Sequence, residues 1–342
     1  MIDVAVVGYG WWGQHIARRL QQSEKLTIRY VVEPQSDHHP TIEGQGLTAL
    51  ASLDEVLGDA EVDAVVITTP NGFHEAQVCA AAAAGKHVYC EKPLGLTAAS
   101  ARRSLLACEK AGVTLGVGHE RRHEPALRAL HRMIKADELG VVMHAEAAFS
   151  HDKLSLVPAG DWRTSATLSP AAGMTAMGVH LTDLFISYFG RVRTVQALTA
   201  HRTLDWETGD VVTVQLQFDA GMTATLSAIL KTPHFIRTHV FGSLKWVEVR
   251  SDTHPDTPGG ITEATIMQSG VEPVVERHAW RDTVADNLEA FGAAIRGEAP
   301  FPISPFEMLH NIEVLEAIAR SASTHQTVEL SRSASHSASH DD

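Results

Sequence analysis

Through the first third of the chain, short runs of branched apolar residues alternate with longer stretches in which apolar positions return every three to four residues. Ile2–Val7 and Leu26–Val32 read as strands, and between them Ile16 and Leu20 share one face of a helix predicted over Trp12–Ser23. Ala64–Thr68 (AVVIT) is apolar up to its last position, the pattern of a strand covered on both faces. An alanine-rich helix is predicted over His74–Ala84 and stopped by Gly85. A strand at His87–Tyr89, a helix over Thr97–Ala111 ended by Gly112, and a strand over Val113–Val117 complete the series. Strands separated by helices at this spacing pair in parallel through right-handed crossovers. Residues 1–120 are therefore expected to form a doubly wound α/β domain of Rossmann type.

Beyond residue 120 the rhythm changes. A helix over Pro125–Lys135 precedes strand-like segments at Val142–Phe149, Val192–Ala200, Val211–Phe218, Thr223–Leu230, Phe235–Phe241 and Lys245–Arg250, with a hairpin turn at Asp219-Ala220-Gly221. Residues 121–330 are expected to form an α+β domain with an open, mainly antiparallel sheet. Helices are predicted at about 171–189, 281–296 and 305–322, and the last two are free to pack back on the first domain. The segments at about 150–170 and 251–275 show no pattern. Ser331–Asp342 (SRSASHSASHDD) lacks aliphatic positions and is expected to be a disordered tail.

Composition narrows the function classes. A formal net charge of −13 over 342 residues, with no basic cluster, argues against nucleic acid as a partner. No apolar run approaches the ~18 residues of a membrane span, and the chain opens on a strand-like run rather than a secretory leader, so no membrane association and a cytoplasmic location are expected. Cys79, Cys90 and Cys108 form no CxxC pair, which suggests neither a disulfide framework nor a thiolate metal site.

The first chemistry-bearing motif lies between the first strand and helix. Gly8-Tyr9-Gly10-Trp11-Trp12-Gly13 is a G-x-G-x-x-G turn: Gly8 permits the bend, Gly10 lets backbone approach a pyrophosphate, and Gly13 allows close helix–strand packing. The helix N-terminus then presents unpaired N–H groups to the phosphates. Glu33, at the end of the second strand, stands where a carboxylate accepts hydrogen bonds from an adenosine ribose and repels a 2′-phosphate, so NAD is favoured over NADP as cofactor. Further along, Glu91-Lys92-Pro93 puts a lysine at the carboxyl end of a strand, in the crevice where open α/β sheets bind ligands. A desolvated lysine there can take a hydroxyl proton.

These residues resemble the Gfo/Idh/MocA oxidoreductases, which include inositol dehydrogenase and glucose–fructose oxidoreductase. The resemblance runs through the glycine turn, Thr68-Thr69-Pro70-Asn71 with His74, Gly85-Lys86-His87 into Glu91-Lys92-Pro93, Arg121-Arg122 with Pro125, Trp162-Arg163, and Gly178-Val179-His180 with Asp183. It implies that Thr68, Thr69, Pro70, Asn71, His74, Glu91, Lys92 and Pro93 border the cofactor and that Lys92 is catalytic with His180. It also implies a C-terminal substrate domain that often packs in a homo-oligomer. The family often carries an Asp four residues before the catalytic His, and that position is Ala176 here. Either Lys92 and His180 suffice, or Asp183, at i+3, orients the imidazole, or hydride chemistry has been lost.

His119-Glu120-Arg121-Arg122-His123 also spells the H-E-x-x-H pattern of zinc peptidases, which requires a helix interior so that both imidazoles share a face. It follows a strand directly and precedes Pro125, and no third ligand follows at the needed spacing, so no metal site is expected. In the resembled family this crossing lines the cleft, which makes His119, Glu120, Arg121 and Arg122 candidate lining residues. Trp162 and Arg163 are candidates to clamp a sugar face or a carboxylate. The expected function is NAD-dependent hydride transfer at a secondary alcohol of a sugar, cyclitol or related polyol, with a small polar molecule as the partner. Aromatic dihydrodiol oxidation, a tightly-bound-NAD enzyme such as a glycosidase or epimerase, and a non-catalytic NAD-binding sensor are the alternatives.

Overall fold

A computed structural model describes residues 1–158 and 160–330; the tail expectation falls on 331–342, outside the described residues. The first third contains β1 (Ile2–Val7), α1 (Trp11–Leu20), β2 (Leu26–Val32), α2 (His39–Glu43), β3 (Thr48–Leu50), α3 (Leu53–Leu57), β4 (Ala64–Ile67), α4 (His74–Ala83), β5 (His87–Cys90), α5 (Ala98–Ala111) and β6 (Leu115–Val117). The strands form a six-stranded parallel sheet ordered β3-β2-β1-β4-β5-β6. Every residue of β4 is buried, as its unbroken apolar run requires. Thr97 caps α5 by accepting the Ser100 N–H at 3.1 Å, and Gly112 ends it in the left-handed region at φ 67°. Strand order reverses between β1 and β4, which opens a crevice beyond their carboxyl ends.

The second part contains α6 (Pro125–Lys135), β7 (Val142–Ser150), α7 (Val179–Phe189), β8 (Val192–Ala200), β9 (Val211–Phe218), β10 (Thr223–Ile229), β11 (Phe235–Gly242), β12 (Lys245–Ser251), β13 (Ile261–Gln268), β14 (Val274–Ala279), α8 (Thr283–Ile295), α9 (Pro305–Thr324) and β15 (Val328–Glu329). A nine-stranded sheet runs β14-β13-β12-β11-β7-β10-β9-β8-β15, antiparallel except for the parallel pair β7 and β10. One face of this sheet packs on α7, whose Leu181, Leu184 and Phe185 join Phe218, Leu226 and Val240 in the core. The terminal helices tie the two sheets together. Phe291 of α8 sits edge-on to Tyr89 of β5 at 5.6 Å between centroids. On α9, Met308 and Ile312 enter the first domain's core while Leu315 and Ile318 enter the second's.

Several features differ from the sequence expectation: α2, β3, α3 and β15 stand where it placed no element, and two further differences lie in the second part. β13 and β14 extend the sheet where no pattern was legible, because they form its outer hairpin: only Ala264 of β13 is buried and no residue of β14 is, so little apolar alternation was required. The helix expected over 171–189 begins as a π-turn at Met174–Gly178 before α7 takes over. Its wider hydrogen-bond spacing perturbs the i→i+4 ladder in the segment that faces Lys92.

Candidate active site

The glycine turn has the shape its spacing implies. Gly8 adopts φ +97° and its N–H donates to Val32 O at 2.8 Å, while the Thr68 hydroxyl donates to Gly8 O at 2.8 Å, so the β1 and β4 loops are locked together. A Cβ on Gly10 would meet nothing within 4 Å, leaving the backbone open to a ligand. Gly10 precedes α1 as its N-cap and supplies no side-chain cap, so the first N–H groups of the helix are free for an anion. Glu33 is buried at the end of β2; its two carboxylate oxygens accept the Tyr9 and Gln35 N–H groups, each at 3.0 Å, which brings the carboxylate to the rim of the turn. These features fit a dinucleotide: a cradle for two phosphates and an acceptor for a ribose. Gly13 is the tightest point, since a Cβ would lie 2.2 Å from Gly8 O. Gly13→Ala is therefore expected to push α1 off β1, costing about 1–3 kcal/mol of stability and weakening dinucleotide binding at least about tenfold, measured by urea unfolding and fluorescence titration. Unchanged affinity would count against this turn as the cofactor cradle.

Lys92 follows β5 directly, beyond Cys90 and Glu91. Its Nζ donates to the carbonyl of Ala176 at 2.8 Å, so the position that lacks the expected carboxylate contributes its backbone oxygen, within the π-turn. Burial holds the Lys92 ammonium below the ordinary lysine range, and Arg163 adds to this while Glu91 and Glu120 oppose it. His180, one residue into α7, is buried; burial and then the Lys92 charge hold its imidazole well below its usual value, so the ring is neutral. Glu120 Oε1 lies 3.9 Å from His180 Nε2, and burial together with Glu91 raises its carboxyl to about 8. Burial also raises Glu91, whose carboxylate packs so closely on Gly118 that a Cβ there would come within 2.5 Å of it.

Other expected site residues take supporting positions. His74 is buried with Nδ1 2.8 Å from Pro93 O and Nε2 2.9 Å from Thr69 O, so it braces the two loops beside the crevice rather than offering a free nitrogen to a cofactor. Asn71 donates to Leu168 O at 3.0 Å, bridging the domains. Asp183 does not orient His180: both of its oxygens accept Arg122, each at 2.7 Å, and Arg122 also donates to Glu307 at 2.8 Å. A guanidinium fork outcompetes an imidazole for a buried carboxylate because it brings permanent charge and two parallel donors. The same network removes Arg122 from the pool of substrate ligands. Arg121 pairs with Glu124 at 2.7 Å and lies 5.0 Å over the Phe149 ring. Arg163 pairs with Asp161 at 3.1 Å and stacks 4.3 Å over Trp162.

The HERRH segment is a 3-10 turn over Glu120–His123, so its histidines do not share an α-helical face. His119 Nε2 meets the Asn311 amide at 3.2 Å, and burial lowers His119 to about 4. Among the described residues no group of three or more His, Cys, Asp or Glu is arranged to hold a metal ion, and no helix is long and apolar enough to cross a membrane. Sequence reasoning missed one wall altogether. Phe149 and His151 at the end of β7 meet His254 from the β12–β13 loop, with the two imidazole centroids 5.0 Å apart and His254 held by Asp256 at 2.6 Å. Phe149 connects this wall to His180 at 6.0 Å between centroids. The abundance of histidine was the only signal, and it points to no position.

A parallel sheet with a glycine-cradled helix at its switch point, joined to an α+β domain that delivers an imidazole towards a strand-end lysine, defines a two-domain dinucleotide-binding protein. Residues 2–119 match the oxidoreductase family with an NAD-binding Rossmann fold, and residues 127–248 match the Gfo/Idh/MocA C-terminal domain. The chain belongs to the Gfo/Idh/MocA family of oxidoreductases. It is 31% identical to D-xylose 1-dehydrogenase (NADP(+)) 2 of Haloferax volcanii, with 83% of this chain and 85% of the relative covered. It is 29% identical to the rhizopine catabolism protein MocA of Rhizobium meliloti, with 92% and 93% covered. Three other curated relatives are matched only in part, the chain covering 40%, 38% and 28% of their lengths. The aldose-aldose oxidoreductase of Caulobacter crescentus shares the fold, with a TM-score of 0.85 at 23% identity over 96% of this chain and 99% of that one.

Proposed function

We propose that this chain is an NAD-dependent dehydrogenase acting on a secondary alcohol of a sugar, cyclitol or related polyol, with Lys92 and His180 handling the hydroxyl proton. The observation that carries the reading is the Lys92 amine, partly desolvated at the carboxyl end of the parallel sheet and tethered by the Ala176 carbonyl at 2.8 Å. A bound nicotinamide supplies a hydride acceptor at its C4. The glycine turn and the start of α1 would hold the pyrophosphate, and Glu33 the adenosine ribose. Lys92, with its pKa lowered, takes the hydroxyl proton at Nζ, and the His180 ring, neutral beforehand, receives that proton as Lys92 returns to the amine, so the positive charge moves rather than doubles.

An uncharged substrate is supported by the state of the arginines. Arg121, Arg122 and Arg163 each already face a carboxylate, so a substrate anion would compete with Glu124, Asp183 or Asp161. The name of the Haloferax relative specifies a sugar substrate, in keeping with this. That name also specifies NADP(+), whereas Glu33 here favours NAD. Repulsion between a carboxylate and a 2′-phosphate about 4 Å apart near a surface exceeds the ~1.4 kcal/mol that corresponds to tenfold. The expected kcat/KM is at least about tenfold higher with NAD than with NADP, and Glu33→Ala is expected to narrow that ratio; an NADP preference in the wild type would refute the assignment.

The substrate class is tested by following NADH absorbance with NAD and a panel of neutral sugars, inositols, sugar acids and dihydrodiols. Turnover is expected with neutral polyols. Turnover confined to sugar acids or dihydrodiols would overturn the substrate class, and dinucleotide binding without any turnover would overturn the enzymatic reading.

A further inference from the structure

The position at which the family often carries a carboxylate is Ala176, and Asp183, the nearest alternative on α7, is consumed by Arg122. His180 nevertheless has a carboxylate beside it, contributed by the opposite domain: Glu120 Oε1, 3.9 Å from Nε2. Both side chains are buried, His180 at 4% and Glu120 at 8% exposure, and 3.9 Å is within ion-pair range though longer than a hydrogen bond. Such contacts are commonly long before substrate binds and tighten afterwards. The other ring nitrogen, His180 Nδ1, is buried and has no partner. A buried imidazole with a carboxylate facing one nitrogen and the other unpaired has the layout of half a relay, whose open side takes a proton donor. Lys92 is the donor on that side of the ring, its Nζ anchored on the Ala176 carbonyl four residues before His180.

Resting on the dehydrogenase reading above, we propose that Glu120 replaces the missing carboxylate as the terminus of a proton relay running from Lys92 through His180. The hydroxyl O–H breaks and an N–H forms on Lys92 Nζ as hydride passes to NAD+, the oxidant. Lys92 then gives that proton to His180 Nδ1, and Nε2–H passes its proton to the Glu120 carboxylate. Lys92 returns to its neutral form and Glu120 ends as the carboxylic acid, so one proton has moved and none is lost. Glu120 acts through His180 and is a positioning residue.

The groups facing Glu120 make it suitable for this role. Tyr89, Glu91 and Lys92 approach from β5 and its exit, Arg121 is its neighbour in the turn, and His180 faces it from α7. Burial and Glu91 raise the carboxyl to about 8, against Lys92 and Arg121, so the acid and its anion interconvert close to neutrality. The receiving form is the anion. Oxidation through this route therefore gains as pH rises through about 8 and is lost below it.

Two measurements test the relay. Steady-state oxidation by wild type and Glu120→Gln is followed across pH, and Glu120→Gln is expected to lower kcat about a hundredfold, leave KM within about threefold, and remove the limb near pH 8. Histidine-selective NMR of the cofactor-free protein follows the His180 ring. Its signals are expected to move with a transition near pH 8 in wild type, to show that transition at higher pH in Lys92→Met, where the ammonium that lowers the Glu120 carboxyl is gone, and to lose it in Glu120→Gln. A Glu120→Gln protein with the wild-type kcat profile, or a His180 ring that shows no such transition in wild type, would overturn the proposal. If Glu120→Gln does not fold, the wild-type and Lys92→Met titrations decide alone. Failure of the parent reading looks different: wild type then forms no NADH whatever the His180 ring reports.

Discussion

Replacing Lys92 with alanine is expected to leave a folded protein that binds dinucleotide normally and oxidises its substrate at least about a thousandfold more slowly, within the range that positioned acid–base groups contribute. The titratable groups beside it are poor substitutes as the first acceptor. The His180 imidazole is held well below its ordinary pKa by burial and the Lys92 charge, and a ring so weakly basic is a poor first acceptor. Lys86 is no replacement either: it stands before the opposite end of β5, committed to the carbonyls of Asp59 and Val62 at 2.6 and 2.8 Å. Folding loses one hydrogen bond, from Nζ to Ala176 O, a net contribution of about 1 kcal/mol. Initial rates by NADH absorbance, alongside dinucleotide titration, separate the two effects. Wild-type kcat/KM in Lys92→Ala would end the proposed mechanism.

The largest stability change is expected from Asp183→Ala. Asp183 is 2% exposed and both of its oxygens receive Arg122, whose side chain is 10% exposed. Removing the carboxylate leaves the guanidinium buried with Glu307, the Pro302 carbonyl and the backbone carbonyl of residue 183 as its remaining partners. Stranding one member of a buried ion pair typically costs about 3–5 kcal/mol. Urea unfolding of Asp183→Ala should show a loss of that size, and Asp183→Asn, which keeps an acceptor oxygen, a smaller one. Since Asp183 serves Arg122 and not His180, the pH dependence of kcat in Asp183→Asn should match wild type. A protein of unchanged stability with a displaced pH profile would instead restore Asp183 as the group that orients the imidazole.

The glycine turn, Glu33 and Lys92 were legible in the chain because each belongs to one strand–loop–helix unit, in which spacing along the sequence is nearly spacing in space. The doubly wound sheet was legible for the same reason, since β4 must be apolar throughout if helices cover both faces. The HERRH letters show the reverse case. They match a metal-binding pattern, but its chemistry requires an α-helix, and a 3-10 turn at the exit of β6 does not bring the two imidazoles onto one face. Ala176 is a second case. Read by side chain it is a loss, whereas its contribution here is a carbonyl oxygen, and no one-letter code reports which carbonyl a neighbouring amine will meet.

What the sequence alone determined is the order of the parallel and mainly antiparallel sheets, the glycine turn between β1 and α1 and the lysine at the sheet's mouth. Periodicity and local turn chemistry act within some ten to twenty residues, and those features need nothing further. Which carboxylate faces His180, which arginines are already neutralised, and which histidines form the wall opposite were decided only when β7, α7, α9 and the β12–β13 loop converged on the crevice. Those contacts join residues far apart in the chain. They are fixed by competition among buried charges for partners, and that competition has no outcome until the fold has removed the water.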